Sequence, residues 1–168
     1  MVYNNTVRNE KMKPLNISKE YQEIVKEILD HPEFQKLKEY KHHGITRWDH
    51  SLRVSYECYL YAKKHHFNEK SIAKAALVHD FFFVNHQKVN LFKRIKVLFT
   101  HPKMALENAK KIWKVSKLEE NIILSHMFPL GFCFPKYKES WLVVWKDDII
   151  SIVERFSSLK KIDEKKSK

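Results

Sequence analysis

The stretch 75–83, Ala-Ala-Leu-Val-His-Asp-Phe-Phe-Phe, sets an imidazole and a carboxylate, His79 and Asp80, inside an otherwise apolar run. Burying either group is costly without a compensating partner, and an ionised carboxylate needs an opposite charge or a metal. Ile72, Ala76, His79 and Phe83 recur at helical spacing, which puts His79 on a core-facing stripe. Ala73, Ala75 and Ala76 are small enough to let neighbouring helices approach closely. The stretch reads as a central helix that delivers a His-Asp pair to an interior site. Taken alone, His79 would read as a core histidine satisfied by a local carboxylate.

The rest of the chain repeats the pattern. His50 is followed by Val54, Cys58 and Tyr61 on one helical face, and His101 by Ala105, Ala109 and Ile112. Leu118, Ile122 and His126 fall four residues apart, and Asp147 follows the apolar tract Trp141 to Trp145. One buried histidine is ordinary, but four with two carboxylates would be expensive to satisfy separately. A shared divalent-metal site satisfies them together. Imidazole and carboxylate donors suit iron, manganese, zinc or nickel, and the lack of nearby thiols disfavours a structural zinc site. Two ions about 3.5–4 Å apart, bridged by a carboxylate, would use all six residues.

The elements that must carry these residues are helical. Ser18 can cap a helix with the stripe Tyr21, Ile24, Val25, Ile28 and Leu29, and Pro32 starts a short helix carrying Phe34, Leu37 and Tyr40. Gly44 reads as a left-handed cap closing the turn at 41–44. Thr46-x-x-Asp49 resembles a capping box and places His50 in the first turn of a third helix, with Arg53 one turn on. Asn68 caps the central helix, which is expected to run into His79 and Asp80. Residues 84–99, with His86 and several cations, read as a short helix or a lid. Thr100-His101-Pro102 reads as a helix start, since proline is tolerated in a first turn. Ser116-x-x-Glu119 is a full capping box, Pro129 and Gly131 close the next segment, and a final helix is expected over 136–156.

Composition bounds the rest. A chain of 168 residues with 43% hydrophobic and 13% aromatic content is globular and most simply one domain. Two glycines and five prolines favour long helices over a turn-rich β fold, so the expected class is an all-α single-domain bundle. The expected division is an arm over 1–16, the domain over 17–157 and a basic tail over 158–168. Cys58 and Cys133 have no metal-ribbon or disulfide-framework spacing. No signal peptide or membrane span is read from the sequence, and a reducing cytoplasm is the expected compartment. The net charge of +12 could indicate nucleic acid, but only five of the 32 basic residues are arginine and the lysines are scattered. A solvated surface is the simpler reading.

In order along the chain, His50, then His79-Asp80, then a distant Asp147 resembles the signature of the HD-domain superfamily of metal-dependent phosphohydrolases. His43-Gly44 before His50-Ser51-Leu52-Arg53-Val54, the words Ala76 to Asp80, Thr100-His101-Pro102 and Tyr137 to Trp141 are similar to it as well. His101 and His126 match the subset with a binuclear centre, and the resemblance covers residues 43–151. Asp147 is preferred over the adjacent Asp148 as the last ligand, because Asp147-x-x-x-Ser151 fits the superfamily's ending better.

The resemblance implies two divalent ions. Asp80 would bridge them, with His50, His79 and Asp147 completing one site and His101 and His126 the other. It also implies hydrolysis of a phosphoester or phosphoanhydride in a small, nucleotide-like substrate, with Asp80 and His79 at the centre of catalysis. Arg53 and Lys138 are the expected cations for orienting phosphate, and Lys103 lies one turn beyond His101. A di-iron oxygenase on the same helical cage, or a non-catalytic nucleotide or nucleic-acid binder, are the alternative readings.

Overall fold

Ser18 opens the first helix by accepting the Tyr21 amide, and α1 (Lys19–Leu29) buries Tyr21, Val25, Ile28 and Leu29 along one side. The computed structural model describes residues 15–42, 45–84 and 90–166. Pro32 begins α2 (Pro32–Gln35), which tightens into a 3-10 turn (Lys36–Glu39). A two-residue hairpin follows, Lys41 pairing with Thr46 and His42 with Ile45. The expected cap at Gly44 lies outside the described residues, as do His86 and residues 1–14 of the expected arm. Leu15 and Ile17 pack against the core from its edge.

The remaining helices are α3 (Arg47–Lys64), α4 (Glu69–Leu77), α5 (Leu91–Ala109), α6 (Lys117–Ser125) and α7 (Lys138–Lys166). The protein is a single helical domain. α3 packs on α4 and α7, α4 on α1 and α6, and α6 on α5 and α7. Ala73, Ala75 and Ala76 are fully buried and allow α4 to sit at the centre of this arrangement. The Tyr21 hydroxyl donates to Ser55 Oγ at 2.7 Å, and Ser55 Oγ donates to the Ala73 carbonyl at 2.6 Å, which ties α1, α3 and α4 together.

Caps set most boundaries. Thr46 accepts from the Asp49 amide to start α3, Asn68 from Ser71 to start α4, and the Ser116–Glu119 box is reciprocal at α6. Asn121 organises the α6–α7 connection: its Oδ1 accepts from the Lys136 amide and the Ser140 hydroxyl, and its Nδ2 donates to the Phe134 carbonyl.

Three expected boundaries shift. α4 ends at Leu77 and does not carry His79, because Val78–Asp80 form a turn in which the His79 side chain takes up the Ala76 carbonyl at 2.7 Å. Pro102 lies inside α5 and does not begin it. The helix starts at Asn90, whose side chain accepts the Lys93 amide, and the proline's missing donor falls opposite Leu98, in an exposed turn. At the other end of the chain, α7 begins at Lys138 and continues through the expected tail to Lys166.

Candidate metal centre

Six side chains from five segments meet in the interior. His50 comes from the first turn of α3, His79 and Asp80 from the turn after α4, His101 from α5, His126 from the C-cap of α6 and Asp147 from α7. They form two groups, His50–His79–Asp147 and Asp80–His101–His126. In each group the candidate ligand atoms lie within 4.8 Å of one another and every residue is buried. The groups abut, with the His79 and His126 ring centroids 5.0 Å apart.

Backbone carbonyls fix the tautomers of three of the four histidines. A carbonyl only accepts, so Nδ1 carries the proton in His79 (to Ala76, 2.7 Å), His101 (to Val97, 3.0 Å) and His126 (to Ile123, 2.7 Å). In the neutral ring Nε2 then bears a lone pair. His101 Nε2 and His126 Nε2 stand 2.9 Å apart, with Asp80 Oδ1 at 3.3 and 3.7 Å from the same two atoms. His79 Nε2 is buried without a hydrogen bond, 3.6 Å from Asp147 Oδ1. Imidazole nitrogens and carboxylate oxygens converge here, and a bound cation could satisfy them together. The donors of each group, two imidazoles and one carboxylate, fit a divalent transition metal with open positions left for water or substrate.

Electrostatics agree with this. Burial opposes charge on His50, but hydrogen bonds from Nε2 to Asp147 (2.9 Å) and from Nδ1 to Glu154 (2.8 Å) outweigh it and raise its pKa to about 10. Without a metal, a proton on His50 therefore offsets the charge of the two carboxylates. Burial likewise opposes ionisation of Asp147, yet His79 and His50 hold its carboxyl well below the usual range. His126 goes the other way: burial, then the neighbouring His101 and His79, push it down to about 3, so it stays neutral as a ligand must.

Two residues that sequence reasoning missed complete the surroundings. Glu154, 2% exposed, holds His50 Nδ1 from behind, the carboxylate–histidine arrangement that orients metal ligands. Its signal was available, since Glu154 follows Asp147 by two helical turns and shares its face. Arg47 is fully buried: its guanidinium stacks on Phe82 at 3.7 Å, donates to the Phe82 and Val84 carbonyls, and sits 3.9 Å from Asp80. It pins the turn that carries Asp80. No local pattern announces it, because its partners lie 35 and 37 residues away.

The other expected residues fall as follows. Asp148 is exposed and outside both groups. Arg53 Nε stands 3.6 Å from Glu154 Oε1, so it backs the His50–Glu154 pair. Lys138 is not brought to the site: its ammonium lies 4.1 Å from the Phe67 ring centroid, about 13 Å along α7 from Asp147. Lys103 is exposed. Among the described residues, no helix is long and apolar enough to cross a membrane. Comparison with protein-family models, curated proteins and solved structures gives no match.

Proposed function

We propose that the chain is a metal-dependent phosphohydrolase of the HD type, acting on a phosphoester or phosphoanhydride of a small, nucleotide-like substrate. The observation that carries the reading is the pair of abutting, buried two-histidine, one-carboxylate groups. The ordered resemblance over residues 43–151 supplies the reaction class. Divalent ions, when bound, supply a water of lowered pKa and positive charge to offset the phosphoryl oxygens.

The chain's own residues do the rest. His50, His79 and Asp147 would hold one ion, and Asp80, His101 and His126 the other. Glu154 keeps the His50 ring in the orientation that directs Nε2 inward, with Arg53 behind it. Arg47 steadies Asp80 by charge and by fixing the backbone beyond it. Asp147 keeps 12% side-chain exposure, and Asp80 and His101 keep 6% each, against 1% for His50, His79 and His126. Substrate therefore approaches from the side of Asp147, Asp80 and His101.

The test is phosphate release from a panel of phosphate esters and nucleotides, with manganese, iron, zinc or nickel added to metal-stripped protein. Release that disappears in Asp80→Ala is the expected result. No release with any metal sinks the hydrolase reading. The two-histidine, one-carboxylate donor set also suits a di-iron oxygenase, and oxygen consumption with iron alone would favour that reading.

A further inference from the structure

α7 has a second apolar face, which the described residues leave uncovered. Its inner side turns Val143, Asp147, Ile150 and Glu154 into the body. On the outside, Trp145, Ile149, Ile152, Phe156 and Leu159 are 50, 41, 55, 63 and 50% exposed. Their spacing is four, three, four, three, the alternation of a coiled-coil seam. A helix that served one core would need only one such stripe. Five large side chains along about 21 Å of helix form a continuous apolar strip, the kind of surface that marks an interaction site.

The charges beside the strip identify its occupant. Asp148 and Arg155 are both exposed and seven residues apart, each immediately before a seam residue, Ile149 and Phe156. In a parallel pair of identical helices, the position before one seam residue faces the position after another. Asp148 would then meet Val153, which complements nothing. In an antiparallel pair like positions face each other, so Asp148 of one copy meets Arg155 of the other, twice over. The face is self-complementary under a two-fold axis and only in that sense.

We propose that this face joins two copies of the chain, their α7 helices antiparallel about a two-fold axis near Ile152. The seam lies on the back of the turns that hold Asp147 and Glu154 against His50. Dimerisation therefore clamps the helix that supplies Asp147, one of the six candidate ligands, and Glu154, the buttress of His50. The proposal stands on the surface of α7 and is independent of the metal reading.

Sedimentation equilibrium of the full chain tests it. Wild type should be a dimer that dissociates on dilution, and the double substitution Ile152→Glu, Phe156→Glu should raise the dissociation constant by at least about tenfold. Both side chains are exposed, so helical content by circular dichroism should be unchanged. Asp148→Arg and Arg155→Asp should each weaken the dimer, and the two together should restore it. The single variants carry the test should the double glutamate variant fail to fold. A wild type that is monomeric at every soluble concentration overturns the proposal, even if the strip then binds vesicles or another protein. So does a dimer undiminished by the glutamates. Charge-swap variants that fail to rescue one another overturn the antiparallel register.

Discussion

His50 stands between two carboxylates, with Asp147 on one ring nitrogen and Glu154 on the other. That geometry separates a ligand from its buttress. Asp147→Asn removes a ligand and should strongly lower metal occupancy, whereas Asp148→Asn, exposed and outside the groups, should change it little. Elemental analysis of both variants checks this, and the reverse ranking would show that the last helix had been read one residue out of phase. Glu154→Gln keeps the shape but weakens the hold on Nδ1, and metal affinity should fall about 10–100-fold with the fold retained. An unchanged affinity would reduce Glu154 to packing. Asp147 could be told from Asp148 in the sequence only through the resemblance, by Asp147-x-x-x-Ser151, and in the fold it is the buried one of the two. Glu154 was legible in principle from the same helical face, while Arg47 was not, because its role depends on contacts made only by the folded chain.

At the scale of elements, α5 and α6 together carry one histidine pair, and α3, α7 and the turn after α4 carry the other group. The two should therefore fail separately. His101→Ala or His126→Ala should leave the ion at His50, His79 and Asp147 in place, so that content falls from about two ions per chain to about one, with hydrolysis reduced much more than substrate binding. Loss of both ions from either variant would mean the groups act as one site. Most helices and their caps could be read from Ser18, Thr46, Asn68 and Ser116, since each cap is a local event. Three boundaries differ from the spacing. His79 left its helix to bond Ala76, Pro102 was absorbed within α5, and α7 ran on past its expected end.

For the whole molecule, the buried charges make stability depend on pH and metal together. His50, raised to about 10 against an ordinary 6.5, stabilises the metal-free fold fully below pH 6.5 and loses that contribution as pH rises toward 10. His79 is raised as well and acts in the same direction, burial being outweighed by Asp147. His126, pushed down to about 3, must be neutral in the fold, so stability also falls as pH drops below 6.5. Metal-stripped protein should thus be most stable near pH 6.5, and loading should flatten the alkaline side because an ion replaces the proton on His50. Thermal melts at pH 6.5 and 9, with and without metal, read this directly, and equal alkaline losses in both forms would count against it. The helical class and the inward-turned histidines could be read from composition and spacing, whereas Asp147 and the division into two sites came only with the resemblance, and the packing of five segments puts Asp80 with His101 and His126. The most direct test of the central claim is the metal content of the wild-type chain after loading with a divalent transition metal and removal of excess. The account predicts about two ions per chain, and a chain that retains none would contradict it.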